Sequence, residues 1–291
     1  MGKSWTIRQF METFPDDDAC LAHLFETRYG KEPVCPKCGQ VDTFHKLKKL
    51  PAYTCNCGHH IHPMAGTPFM RSRTPLKTWF YVMFLFCATR NGLSAKEIQR
   101  QIGVTYKTAW RMGHEIRKYM GWVDGDFPLG GRGGKPVEID KTFIGGKDKL
   151  HFGDKKVVLG MVERKGDVVT RVLPDRTSAT VIPHIAEWVR EGSRVMTDKA
   201  PVFQELGWGK VFQHSTVNHS AGEHVRGDTH TNTIEGFWAN LKRGINGTYV
   251  WVSQKHLQKY LWEFEFRHNL RKEPWLMFQL LLSAFPRASR Q

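Results

Sequence analysis

The chain has 291 residues, 40% hydrophobic and 24% charged, which excludes a disordered chain and leaves room for more than one domain. Its 43 Lys+Arg against 28 Asp+Glu give a net charge of +15 and a pI near 9.6, favouring a polyanionic partner, nucleic acid ahead of an acidic membrane surface. The N-terminus MGKSWTIRQF lacks an apolar secretory core, and the longest apolar run, Trp79–Ala88, falls far short of the ~20 residues that span a bilayer, so a cytoplasmic chain without a membrane role is expected.

Residues 1–30 predict one short helix, opened by Pro15 and the acidic run Asp16, Asp17 and Asp18 and stopped by Gly30. A cysteine cluster follows over 31–70. Cys35 and Cys38 form a CPKC knuckle, sixteen residues separate Cys38 from Cys55, and Cys57 completes a contracted second knuckle. Two close cysteine pairs in a cytosolic setting match a tetrahedral thiolate site for Zn²⁺, with Cys35, Cys38, Cys55 and Cys57 as ligands. Because the second knuckle has one intervening residue, His59, His60 and His62 stand as alternatives to one thiolate. A redox role for CPKC is the competing reading, and the second cysteine pair argues against it. Cys20 and Cys87, in apolar surroundings, read as inert core residues.

Residues 74–121 predict three helices. The first carries Trp79–Cys87, apolar nearly all round and therefore buried. Ser94-Ala-Lys-Glu97 opens the second, and Ile102-Gly103-Val104 is a turn before Thr105 caps the third, Tyr106–Met120. Two helices around a glycine turn match a helix-turn-helix, and seven basic against two acidic residues between Arg90 and Lys118 suit a DNA-facing unit. Tyr106, Lys107 and Arg111, at the start of the third helix, stand where base-edge contacts fall. A plain three-helix packing unit with a solvated basic face is the alternative. Residues 122–134, rich in Gly, Pro and Asp, read as a linker.

The period then changes to that of strands. Val137–Ile144 alternates and ends at Gly145-Gly146, and a basic loop with Lys147, Lys149, Lys155 and Lys156 follows. Val157–Glu163 and Asp167–Leu173 are joined at Arg164-Lys165-Gly166, which predicts an antiparallel meander. Thr177–Gly192 predicts a helix whose start Pro183 pushes towards Thr180. Arg194–Asp198 is a strand ending on an aspartate, Val202–Leu206 a helical turn, Lys210–Phe212 a short strand, and His214–Thr229 irregular. In His230–Gly247, Asn232 and Glu235 form a capping-box pattern before an apolar stripe. Helices over 254–271 and 276–285 close the chain.

Three strands, a helix, a strand and later helices is the element order of a ribonuclease H-like α/β fold with a mixed five-stranded sheet, expected over 135–291. There Asp140, Asp198 and Glu235 converge at one sheet end. Paired divalent ions about 3.5–4 Å apart need shared hard carboxylate ligands, and no P-loop or nucleophile elbow offers another chemistry. Taken singly, each acid has a plain role at a strand edge, a turn or a helix cap.

These motifs resemble the DDE transposases of bacterial insertion sequences, in the ISXO-like group with an N-terminal zinc ribbon. The resemblance runs through CPKCG, GTPF at Gly66–Phe69, LSAKEI with TYKTAW, VEIDKTFIGGK, VMTDKAPVF, HTNTIEGFWANLKRGINGTY and Val252–Asn269. It implies a catalytic Asp140–Asp198–Glu235 triad holding Mg²⁺ or Mn²⁺, with 36 residues between the last two, as in integrase-like enzymes. It implies DNA contact by Lys242, with Arg243 beside it, and a role for Asn232 near the triad. It further implies binding of double-stranded terminal inverted repeats, end cleavage and transfer of the 3′-hydroxyl to target DNA, by a homo-dimer or larger assembly. A non-catalytic DNA-binding regulator or transposase remnant, and a nuclease without strand transfer, are the competing functions.

Overall fold

The computed structural model describes residues 4–125, 127–145, 155–208 and 210–283. Lys147 and Lys149 of the expected basic loop, and the end of the expected tail helix beyond 283, lie outside these. The chain divides into two units, Met1–Tyr119 with Glu273–Gln291, and Met120–Lys272.

The first unit opens with two helices rather than one. α1 (Ile7–Thr13) is set by a capping box between Thr6 and Gln9, and is too short to display an apolar period in the sequence. α2 (Asp17–Tyr29) starts at Asp16, whose carboxylate accepts from the Ala19 amide, and stops at Gly30. α3 (Leu76–Ala88) is the buried helix its composition requires, with Trp79, Phe80, Val82 and Phe86 fully enclosed. α9 (Leu276–Ser283) packs on α2 and α3, placing Phe278 among Phe10, Phe14 and Phe84. β1 (Phe44–Lys46), β2 (Tyr53–Cys55) and β3 (His60–Ile61) make a small antiparallel sheet, on which Phe25 of α2 stacks against Tyr53 at 4.0 Å. α4 (Ala95–Ile102) is capped by the Ser94 hydroxyl and ends at Gly103 in the left-handed region. In α5 (Tyr106–Asp124) the Thr105 hydroxyl accepts from the Thr108 amide, and the helix continues past Met120 into the stretch read as linker.

In the second unit β4 (Val137–Ile144), β5 (Lys156–Glu163) and β6 (Val168–Leu173) form the expected antiparallel meander. α6 (Ser178–Trp188) leads to β7 (Arg194–Asp198), which lies parallel to β4. Pro183 sits inside α6, the sixth of its 11 residues, rather than delaying its start, and its missing amide removes one intrahelical bond from the middle of the helix. The last strand is not Lys210–Phe212. It is β8 (Gln213–Val217), parallel to β7 and drawn from the stretch expected to be irregular. The sequence QHSTV has no apolar alternation because an edge strand buries little of itself, and only Val217 is enclosed. The mixed five-stranded sheet has the order β6-β5-β4-β7-β8, with β4 central.

The pleat of β4 assigns its residues to two layers. Val137, Ile139 and Phe143 face the core shared with α6, while Ile144 joins the core on the opposite face. That second face is covered by α7 (Asn232–Gly244) and α8 (Leu257–Asn269), after a hairpin of β9 (Val225–Arg226) and β10 (Thr229–His230). α8 also closes the outer edge of β6. Asn269, Glu265 and Gln258 side chains accept from the amides of Val168, Thr170 and Val172, at 2.8, 2.7 and 2.9 Å. Every second amide of the edge is thus satisfied by a side chain where a further strand would otherwise pair. Among the described residues no helix is long and apolar enough to cross a membrane.

α7 approaches the sheet closely at one point. A Cβ added to Gly160, the β5 partner of Asp140, would stand 2.4 Å from the Trp238 ring and 2.9 Å from Ile234. Gly160→Ala is therefore expected to displace α7 and destabilise the chain by about 1–3 kcal/mol. Thermal unfolding checks this, and an unchanged midpoint would contradict the close approach.

Candidate functional site

Asp140 and Asp198 are neighbours by register. β4 pairs with β7 at Val137↔Val195 and Glu138↔Met196. Carrying the same offset two residues further sets Asp140 beside Asp198, both on the face that α7 covers. The Trp238 indole of α7 donates to Asp140 Oδ2 at 3.0 Å, and the Ala200 amide donates to Asp198 Oδ1 at 3.0 Å. Burial lifts the Asp140 carboxyl to about 6, and the nearby Asp198 charge adds to this, while the Lys141 amide and the Trp238 indole oppose it. Lys141, on the other face of β4 and over the Phe203 ring, has its ammonium pKa lowered by burial despite both aspartates.

Glu235 lies one turn before Trp238 on α7, so both use neighbouring parts of the helix surface. Its side chain is 47% exposed. The Thr231 hydroxyl donates to Glu235 Oε1 at 2.7 Å, and His219 Nε2 lies 3.5 Å from the same oxygen. His219 follows β8, two residues after Val217, the β8 partner of Asp198. The two aspartates therefore adjoin directly, while Glu235 is tied to their sheet end through Thr231 and His219. Among the described residues, the three carboxylates do not close to the 4.8 Å that gathers the four cysteine sulfurs.

The start of α7 is not capped as a local Asn232–Glu235 box. Thr231 is the N-cap, makes no side-chain cap bond, and directs its hydroxyl to Glu235. The capping group comes from the sheet. Glu138, two residues before Asp140 on the same face of β4 and fully buried, accepts from the Thr233 and Ile234 amides at 2.7 and 3.2 Å and from the Thr233 hydroxyl at 2.9 Å. Arg164 Nε donates to it at 2.6 Å, and His230 Nδ1 stands 3.2 Å away. Arg164 also donates to Asp228, which Arg194 grips at 2.7 Å, so the β9–β10 hairpin is tied to the sheet. Glu138 and Trp238 lie inside the blocks quoted for the family without being singled out there, and Arg164 and His219 lie outside them. Only the period of β4, which puts Glu138 and Asp140 on one face, points to any of them.

Lys242 and Arg243 are exposed at the end of α7, and Asn232 is exposed at its start. Tyr106 and Lys107 are exposed on α5, Tyr106 beneath the Lys96 ammonium at 5.1 Å. Arg111 is exposed as well, with its guanidinium over the Trp79 ring at 5.2 Å.

In the ribbon all four expected sulfurs converge. Cys35 and Cys57 lie 3.7 Å apart, Cys38 and Cys55 lie 3.6 Å apart, and every pair is within 4.8 Å. The histidines at 59, 60 and 62 are not in the cluster. The Cys57 amide and the Thr43 hydroxyl, 3.0 Å from Cys55 Sγ, draw the Cys55 thiol down to about 6, while on Cys38 the Gln40 amide is outweighed by desolvation and by hydrogen bonds with the other three sulfurs, which push it up to about 12, so the four sulfurs titrate as one set. Four sulfurs at this spacing fit Zn²⁺ and leave no open coordination position, as in a structural site. Chelation is expected to release stoichiometric zinc and make four thiols reactive, and Cys35→Ser to abolish tight binding. Retained zinc in that variant would overturn the ligand set.

Asp140 yields a prediction with a definite sign. Its pKa is about 6 folded against an ordinary 3.8, so between these values the folded state keeps a proton that the unfolded state has released. Stability therefore falls as pH rises through this window, and the full deficit, on the order of 2–3 kcal/mol, is present above it. Asp140→Asn is expected to raise the thermal midpoint at pH 8 and leave it unchanged below the window. A lower midpoint at pH 8 would contradict this.

Comparison with known proteins accords with both halves of this arrangement. Residues 128–269 match the ISXO2-like transposase domain, and residues 15–60 match the transposase zinc-ribbon domain. An uncharacterised protein in transposable element ISH50 of Halobacterium salinarum is 24% identical over 288 residues, covering 91% of this chain and 95% of that protein. An uncharacterised transposase-like protein of Haemophilus influenzae is 33% identical over 105 residues, covering 36% of this chain and 83% of that protein. The sheet with its paired aspartates and the four-cysteine ribbon thus fall within the two matched regions, and the chain belongs to the ISXO2-like transposase family.

Proposed function

We propose that the chain is a divalent-metal-dependent transposase that cleaves the ends of an insertion sequence and joins the freed 3′-hydroxyl to target DNA. The observation that carries this reading is the register placing Asp140 beside Asp198 on adjacent parallel strands, beneath the helix that bears Glu235. The sheet order β6-β5-β4-β7-β8, with its meander and parallel pair, supports the ribonuclease H-like domain expected over 135–291. The glycine-turned pair α4–α5 supports a helix-turn-helix over 74–121, with Tyr106, Lys107 and Arg111 towards the bases. With the ribbon over 31–70 it would hold the double-stranded terminal repeats, and joining two ends calls for at least a dimer.

The residues fit Mg²⁺ or Mn²⁺ by their chemistry. Two adjacent carboxylates, one raised in pKa by burial and by the other's charge, form an oxygen donor set that a cation would relieve. When bound, such ions activate the attacking hydroxyl and stabilise the leaving oxygen in an in-line displacement at phosphorus. Asp140 and Asp198 would be the shared ligands, and Glu235 would complete the set from α7. Trp238 fixes the Asp140 carboxylate, and Thr231 with His219 fixes that of Glu235, so the ligands are oriented before metal arrives. Lys242 and Arg243 offer exposed positive charge to the backbone, and Asn232 a polar side chain beside Glu235.

The test is incubation with Mg²⁺ of DNA carrying the terminal repeats, followed by separation of nicked, cleaved and joined strands. Both cleaved ends and joined strands are expected. Asp198→Asn should slow both steps by more than about a hundredfold, since loss even of an outer partner of a metal ligand costs 10–100-fold. Cleavage at full rate by that variant would sink the assignment. Ends bound but never cut would indicate a regulator, and cuts without joining a nuclease.

A further inference from the structure

β8 ends beside the aspartate pair and passes into a short, closed turn. Val217 is the β8 partner of Asp198, so His219, two residues on, emerges at the sheet end that carries the carboxylates. The turn over 218–224 is fixed by its own bonds. The Asn218 amide donates to Glu223 Oε2 at 3.1 Å, the Glu223 amide donates back to the Asn218 carbonyl at 3.0 Å, and Gly222 reverses the chain at φ 75. His219 and His224 are thereby set side by side, with ring centroids 5.0 Å apart and Nδ1 atoms 2.9 Å apart.

The other nitrogen of His219 faces α7. Nε2 lies 3.1 Å from the Thr231 hydroxyl oxygen and 3.5 Å from Glu235 Oε1. Thr231 has one hydroxyl proton, and it goes to Glu235. The Nδ1 contact with His224 takes the ring proton of His219 in its second tautomer, which leaves the Nε2 lone pair free beside the Glu235 oxygen. Two ligand atoms of one ion stand closer than twice a metal–ligand bond of about 2.1 Å, that is ~4.2 Å. The 3.5 Å between Nε2 and Oε1 meets that limit. Both side chains are partly open, 30% exposed for His219 and 47% for Glu235, so water can fill the remaining positions. Ions such as Mg²⁺ keep several waters and take few protein groups.

We propose that His219 is a metal ligand, giving the ion at Glu235 a nitrogen donor through Nε2. The inference rests on the reading of the chain as a divalent-metal transposase and adds a ligand to its three acids. His224 serves His219 from behind, as a ligating histidine is oriented by a partner on its second ring nitrogen. Without the ion, His219 steadies Glu235 through Thr231; with it, the same ring binds directly. The nitrogen also bears on metal choice. Mg²⁺ is a hard ion held by oxygen, whereas transition ions accept imidazole. His219 therefore biases its position towards Mn²⁺, and the all-oxygen pair Asp140 and Asp198 carries no such bias.

The test loads the zinc-containing full chain with Mn²⁺ and reads its coordination by pulsed electron paramagnetic resonance. A directly bound imidazole nitrogen modulates the Mn²⁺ signal, and diamagnetic zinc in the ribbon is silent. The wild type should show nitrogen coupling, His219→Gln should lose it, and His224→Gln, whose amide still accepts from His219, should retain it. In titrations His219→Gln should weaken Mn²⁺ binding about tenfold or more, and Mg²⁺ binding, read by displacement of Mn²⁺, by less than about threefold. The coupling is read first on the wild type, so the outcome does not depend on a variant that folds. Bound Mn²⁺ without nitrogen coupling, or a coupling that survives in His219→Gln, overturns the assignment and leaves the carboxylate site standing. Equal loss of Mn²⁺ and Mg²⁺ affinity also overturns it, marking His219 as a support for Glu235 alone. Mn²⁺ binding that Asp198→Asn leaves untouched, or no binding at all, overturns the metal-dependent reading and this ligand with it.

Discussion

The geometry of the candidate active site depends on one buried carboxylate. Glu138 is wholly enclosed, a position that costs an acid several kcal/mol unless its oxygens are fully engaged. They are engaged by the α7 amides, the Thr233 hydroxyl and Arg164. The positive end of the helix dipole adds to the attraction, since the carboxylate sits at the N-terminus. The bond is also mechanical. Because Glu138 and Asp140 share one face of β4, fixing the first turn of α7 on Glu138 sets Trp238 over Asp140 and holds Glu235 at a fixed distance from the sheet. Arg164 extends the same anchor through Asp228 to the hairpin that leads into α7.

Against this anchor the aspartate pair is a local weakness. Asp140 is partly buried beside a like charge, an arrangement that a fold selected only for stability would replace with an uncharged side chain. The surrounding contacts hold it without neutralising it. Trp238 gives one hydrogen bond, and Lys141, which could pair with it, lies on the opposite face over Phe203. The exposure of Glu235 follows the same logic, because a carboxylate with lone pairs open to solvent can still take a ligand. A sheet end strained by its own acids, and framed by a rigid helix, suits the cation proposed for it.

Much of this was legible in the sequence where the governing contact is local or periodic. β4 is legible at both ends because its residues alternate and a glycine pair follows, and the four thiols converge although the contracted second knuckle left a histidine ligand open. Legibility failed where the partner is distant. The cap of α7 comes from a residue 95 positions earlier, so the nearby Asn232–Glu235 pattern looked like a box and was not one. β8 was read as irregular because its pairing is set by β7, and an edge strand of polar residues has no period of its own. The left-handed backbone of Val250, at φ 63 after α7, has no glycine to announce it, since it is imposed from outside the residue.

The two ends of the chain meet the same physical problem, an unsatisfied edge or an undersized core, by different means. In the core domain, β6 would offer a row of free amides, and α8 closes it with Gln258, Glu265 and Asn269. Those residues belong to the block Val252–Asn269, so its polar positions on an otherwise apolar helix serve the sheet rather than solvent. The ribbon has no such cover. Its strands are two and three residues long and bury only a few side chains of their own, among them Tyr53, Cys55 and Ile61. A sheet of that size lacks the apolar area to offset its conformational entropy, and four sulfurs drawn to one point supply the missing cross-link. Metal would thus stand in for a core in the ribbon, whereas the five-stranded sheet has its core complete and leaves two acids over.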